Sequence, residues 1–271
     1  MKYLQTFSVF ESQTSGTLTP KQEAFLDRYT KGTWSVNPTT GLVDVQGTFY
    51  CSHRKLKSLY EIQFGTVTGN FYCDYNQLTT LEGAPLTVGV TFSCWGNELT
   101  TLEGAPLTVG GTFDCSVNQL TTLTGAPRTV EGGFDCSTNK LTTLIGAPQT
   151  VKGRFWCYNN QLTTLVGAPQ TVKGSFRCNA FELKPGQWNL AGWEQVLHTG
   201  SSEARKLIST LPYLQPDWWN SEISSNPIGT LLRLAAVWDR LPEDIKGGIK
   251  IPSNLQNDFD NFLDLERAGI F

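Results

Sequence analysis

An α+β chain built on a repeat solenoid, with helices at both ends, is predicted by three observations. Seven cysteines (Cys51, Cys73, Cys94, Cys115, Cys136, Cys157 and Cys178) are separated by one interval of 22 residues and then five of 21. A Phe stands two residues before each of them, from Phe49 to Phe176. Beyond residue 183 the periodicity stops and helix signals replace it. Spacing this strict means one supersecondary unit stacked on itself.

Taken in order, residues 1–33 read as an N-terminal helical cap. Tyr3, Leu4, Phe7 and Phe10 share one helical face, and Thr19-Pro20 opens a second short helix carrying Phe25, Leu26 and Tyr29. Residues 34–183 read as the solenoid with a hairpin cap. Thr33-Trp34-Ser35-Val36 and Leu42-Val43-Asp44-Val45, joined by Asn37-Pro38-Thr39-Thr40-Gly41, form that hairpin and close the first repeat's open edge. Within each unit, Phe-x-Cys has a period of two, which puts both side chains on one face of a short strand. Stacked units then form a parallel sheet with a Phe column and a Cys column inside. An Asn three residues after each Cys, as in Asn76, Asn97, Asn118, Asn139 and Asn160, is expected to satisfy backbone groups of the turn. Gly-Ala-Pro recurs in five copies, where Gly permits unusual dihedrals and Pro fixes φ. The terminal copies are degenerate: Arg54 and Phe181 stand at the Asn position, as solenoid ends require.

Residues 184–271 read as a helical C-terminal domain. Ser201-Ser202-Glu203 opens one apolar-periodic stretch, Asn226-Pro227 a second through Leu231, Leu234 and Trp238, and Pro252-Ser253 a third through Phe259 and Leu263. Five of the eight tryptophans lie here, and the adjacent Trp218 and Trp219 do not both face inward easily.

The unit, Leu-Thr-Thr-Leu-x-Gly-Ala-Pro-x-Thr-Val-x-Gly-x-Phe-x-Cys-x-x-Asn, resembles a leucine-rich repeat of the short bacterial class over roughly residues 44–183. That resemblance implies a parallel sheet on a concave face and short extended or 3₁₀ segments on the convex one. The chain is also similar to repeat proteins encoded by large tailed bacteriophages. The similarity rests on Met1-Lys2-Tyr3-Leu4 with Phe7 and Phe10-Glu11, the stretch Trp34 to Val45, the Asn-Gln-Leu-Thr-Thr-Leu-x-Gly-Ala-Pro units and the closing Glu266 to Phe271. It implies a phage origin; the reduced thiols imply synthesis in a cytoplasm, that of the host bacterium, and the expected role is an interaction protein in or on the virion. Some bacterial proteins with such repeats carry a ubiquitin-ligase domain with a catalytic cysteine; no Cys follows Cys178, so that activity is not expected.

Composition narrows the function. The chain has 271 residues and a net charge of −3, and no Lys/Arg cluster that would make nucleic acid its main ligand. Met1 to Glu11 holds no apolar run suited to a signal peptide, and no stretch is long enough to span a membrane. All seven cysteines sit on the repeat lattice, where they read as small buried hydrophobes in a reducing compartment, not as zinc ligands or a disulfide framework. The two histidines, His53 and His198, lie in different regions, and no catalytic motif, metal site or cofactor loop is present. A non-enzymatic protein without cofactors is expected.

Binding is expected where the frame stays fixed and the outward positions vary. The concave face presents Tyr72, Tyr75 and Trp95 towards one end, Asp114 and Asp135 in the middle, and Arg154, Trp156, Tyr158 and Arg177 towards the other. Exposed Tyr, Trp and Arg are the residue types that anchor protein interfaces. Asp114 and Asp135 occupy equal positions in neighbouring repeats and read as a solvated acidic patch; a pair at glycosidase spacing is the weaker reading, because any such lattice produces it. The expected partner is another protein, of the virion or of the host. A glycan stacked on the aromatics is the lesser alternative. The runner-up function is an intracellular inhibitor of a host defence or regulatory protein.

Overall fold

A computed structural model describes residues 18–59 and 61–270 of the chain. The segment carrying Tyr3, Leu4, Phe7 and Phe10 lies outside the described residues. Helix α1 (Pro20–Tyr29) begins as expected at Thr19, whose hydroxyl accepts from Gln22 N while the Gln22 side chain accepts from Thr19 N, a complete capping box. Phe25 and Leu26 are its buried residues.

The hairpin is longer than the sequence suggests. Strand β1 (Thr30–Val36) pairs antiparallel with β2 (Val43–Tyr50) along its whole length, and β2 is itself the first rung of a parallel β-solenoid. Its first half pairs with Phe64–Val67 and its second half with Phe71–Tyr72. From there two ladders run side by side, one of Phe-x strands from Phe71–Tyr72 to Phe176–Arg177 and one from Phe64–Val67 through Thr-Val strands to Thr171–Val172, six strands each. The outer segments of the unit are therefore partly extended, as expected, but the Thr-Val pair forms a second parallel ladder that period-two reasoning did not foresee. At the far end Glu182–Leu183 pairs antiparallel with Phe176–Arg177.

The interior is a set of columns. Phe49, Phe71, Phe92, Phe113, Phe134, Phe155 and Phe176 are fully buried and stack with consecutive centroids 5.2–5.6 Å apart. Burying one such side chain contributes about 2–3 kcal/mol, before the further gain of ring stacking. Phe25 closes the column at one end, 5.6 Å from Phe49, and Trp188 at the other, 4.1 Å from Phe176. The cysteines form the neighbouring column; they are free thiols, and Cys73, Cys115 and Cys157 each donate Sγ–H to a carbonyl of the next repeat at 3.3–3.4 Å. The Asn ladder is present. Asn97, Asn118, Asn139 and Asn160 each accept from a Leu N–H of the preceding repeat at 3.0 Å. Asn76 covers the degenerate first copy by accepting from both Arg54 N and Leu56 N. In the Gly-Ala-Pro turns the Gly has positive φ, and a Cβ on Gly125 (φ +95°) would lie 2.3 Å from the Leu102 carbonyl oxygen.

After the last strand come helices α2 (Leu190–Thr199), α3 (Ser202–Ile208), α4 (Pro216–Ser225), α5 (Pro227–Trp238), α6 (Glu243–Gly248) and α7 (Gln256–Arg267). Helix α5 packs on α4 and α7 around Leu231, Leu234, Val237 and Phe259. Trp219 is fully buried while Trp218 is half-buried beside it, in line with the expectation that the pair splits. This region docks on the last repeats: Trp188 Nε1 donates to Pro169 O at 3.0 Å, and Leu165 N donates to Thr210 Oγ1 at 2.7 Å.

Candidate functional site

The solvent side of the Phe-x ladder is a lattice of three side-chain columns. The residue between Phe and Cys yields, in strand register, Tyr50, Tyr72, Ser93, Asp114, Asp135, Trp156 and Arg177, with Glu182 opposite Arg177. The residue after each Cys adds Ser52, Asp74, Trp95, Ser116, Ser137, Tyr158 and Asn179. The next residue takes the left-handed conformation in six successive copies (His53, Tyr75, Gly96, Val117, Thr138 and Asn159), so its side chain stands off the strand at the turn.

Three zones follow from this lattice. At the N-terminal end Tyr72 meets Tyr50 edge-on at 5.8 Å, and Tyr75 lies between His53 at 4.5 Å and Trp95 at 4.1 Å. Tyr75 is exposed, whereas Trp95 and Tyr72 are only half-exposed because each leans on its neighbours. Tyr50 and His53 belong to this zone and were not singled out from sequence, although the Phe49-x-Cys51 spacing places Tyr50 in the same column as Tyr72.

The middle zone corrects the expectation of a solvated acidic patch. Asp114 and Asp135 are register partners, as expected, but Asp135 is only 7% exposed. Its carboxylate accepts from Ser137 N at 3.0 Å and Ser137 Oγ at 2.6 Å. Asp114 is held in the same way by Ser116, at 2.9 and 2.7 Å. A Ser two residues on thus folds each carboxylate back onto its own turn. Asp74, the third acid here, accepts from the hydroxyls of Ser52 and Ser93 and from Trp95 N at 3.2 Å. Burial raises the carboxyl pKa of Asp74 and of Asp114, against the opposing effect of the serine hydrogen bonds.

At the C-terminal end the arginines are ordered by aromatic faces. The Arg154 guanidinium lies 3.8 Å from the centroid of Trp156, and that of Arg177 lies 4.8 Å from Tyr158. Trp156 Nε1 donates to Ser175 Oγ at 3.4 Å, and the two rings are 6.1 Å apart. Both arginines are exposed, and Arg177 also faces Glu182, whose carboxylate is 3.8 Å away. Trp156 and Tyr158 are half-exposed beneath them. The structure therefore joins Tyr75 to Trp95, and Arg154, Trp156, Tyr158 and Arg177 in a second cluster, while Tyr72 packs on Tyr50 in the neighbouring column. Asp114 and Asp135 lie between the two clusters on the same face.

Among the described residues no three His, Cys, Asp or Glu side chains converge as metal ligands, and no helix is long and apolar enough to cross a membrane. The thiols are buried with pKa values raised by that burial, which keeps them protonated and unreactive at neutral pH. The face offers aromatic and guanidinium surface with fixed geometry, the means of non-covalent recognition. No family model, no curated protein and no solved structure matches this chain.

Proposed function

We propose that this chain is a non-enzymatic interaction protein of bacteriophage origin, built on leucine-rich repeats, that binds a protein partner through the outer side of its Phe-x ladder. One observation carries the reading: the buried frame repeats almost unchanged, while the solvent columns differ from rung to rung and gather Tyr, Trp and Arg. A repeat that served only to stack would have no need for that variety. Arginines laid on aromatic faces hold their donors at small conformational cost, which favours them as anchors for a partner's carboxylates or backbone carbonyls. Virion association is the reading we favour for the partner, in line with the resemblance of the repeats to phage-encoded proteins.

The test is affinity capture from phage-infected bacterial lysate, with an Arg154→Glu, Arg177→Glu variant run in parallel. Capsid or tail proteins retained by the native chain and lost in the variant support the proposal. Host proteins with the same behaviour make the chain an inhibitor acting inside the cell. Identical capture by both overturns the assignment of this face.

A further inference from the structure

Among the described residues, β1 pairs only with β2, so its outer edge carries no partner strand. Along β2 the odd-numbered residues bond to the next rung: Phe49 N donates to Asn70 O, Thr68 N to Val45 O and Gly69 N to Gly47 O, at 2.8–3.0 Å. The even-numbered residues Asp44, Gln46 and Thr48 therefore bond to Ser35, Thr33 and Lys31 of β1. Gly32, Trp34 and Val36 direct their N–H and C=O groups the other way, and those groups bond to no other described residue. At the opposite end Glu182–Leu183 covers the last Phe-x strand, while Trp188 stacks on Phe176 and donates to Pro169 O beside Thr171–Val172, the last strand of the other ladder.

We infer that β1 pairs antiparallel with β1 of a second copy of this chain, joining two solenoids head to head into a symmetric dimer. The register follows from the side chains. Gly32 has φ +135°, and a Cβ there would lie 2.0 Å from the Gln46 carbonyl oxygen, so this position stays a notch in the strand surface. Trp34 stands on the same side of β1. Its Nε1 donates to Asp27 Oδ1 at 2.8 Å, and its ring is half-buried against the core, leaving the rest to be covered. Setting Gly32 of one copy opposite Trp34 of the other lays each indole over the other's notch, a cross-strand pairing that suits edge glycines. In this register Lys31 faces Ser35, so no like charges meet, and Val36, 39% exposed, faces Thr30. A two-fold contact uses the same strand in both copies, so assembly stops at two. The inference rests on β1 alone and holds or fails independently of the proposed partner face.

The register places Thr33 opposite Thr33 as a non-hydrogen-bonded pair, with Cα atoms about 4.5 Å apart, inside the disulfide range of about 4.4–6.8 Å. Thr33 is exposed, and the seven native cysteines are buried. Mild oxidation of a Thr33→Cys variant is expected to yield a covalent dimer, visible on non-reducing gels as twice the 30.0 kDa chain, while Ser35→Cys stays uncrosslinked. Sedimentation velocity of the native protein should show the same doubling with concentration. Val36→Pro, which removes only an outward N–H, should weaken the dimer at least about tenfold with an unchanged monomer melt. A native chain that stays monomeric at all concentrations, or equal crosslinking by the two cysteine variants, overturns the inference.

Discussion

Asn118 reaches across a repeat boundary to Cys94: its Nδ2 donates to the Cys94 carbonyl at 3.1 Å, and also to that of its own Cys115 at 3.1 Å. Its Oδ1 accepts from Leu99 N at 3.0 Å. Its Nδ2 also reaches the Ser116 carbonyl at 3.2 Å, so one amide satisfies a donor and three acceptors, all buried.

Replacing it leaves those groups without partners. Asn118→Ala is expected to destabilise the native state by about 2–4 kcal/mol, since each buried orphan costs about 1–3 kcal/mol and some relaxation occurs. Urea unfolding of both proteins measures this, and a loss below about 1 kcal/mol would mean that water replaces the amide.

Val117, next to it, illustrates an opposite case. It is exposed and holds φ +54°, a conformation unfavourable for a β-branched residue. The equivalent positions hold Gly96 and Asn159 in other copies. Val117→Asn should raise stability by about 1 kcal/mol through relief of backbone strain. A lowered melting temperature would show that the valine makes a contact worth more than its strain.

The carboxyl groups of Asp74 and Asp114 titrate above the ordinary 3.8 because burial disfavours their charge. Just above 3.8 the folded chain therefore binds protons that the unfolded chain has released. Their contribution to stability grows as pH falls through the raised values and levels off below 3.8. At neutral pH both are charged, and the burial cost is borne in full. Asp114→Asn should remove its share of this dependence, so the stability difference between variant and native chain should favour the variant most near pH 7. Urea midpoints from about pH 4 to 7 report it, and a variant penalised equally at every pH contradicts the assignment.

Burial raises the pKa of every thiol of the Cys column, to about 11 even for Cys178 at its end. The folded protein should therefore resist iodoacetamide at pH 8 and take up seven labels after unfolding in urea, counted by intact mass. Rapid labelling of any native cysteine would place it at the surface.

Much of this was legible in the residues themselves. Phe-x-Cys spacing led to the right columns, the recurrent Asn to its ladder, and Thr19, Ser201 and Pro227 to helix starts. The Thr-Val ladder was not legible because a two-residue strand shows no alternation. Asp135 also misled: strand alternation places it outward, and only the serine two residues later, through a local hydrogen bond, returns its carboxylate to the turn. Trp95 drew in for a similar reason, since the bend after Cys94 sets it against Tyr75.

The antiparallel strands that close the array carry a consequence for its evolution. Every internal rung presents the same two edges to its neighbours, and the terminal strands meet only the first and last. An extra 21-residue unit inserted between Cys115 and Cys136 would find its columns already laid out on both sides, with neither cap disturbed. Length and surface pattern are therefore free to change by duplication, deletion or exchange of whole units, and new recognition surfaces come within reach without a new fold.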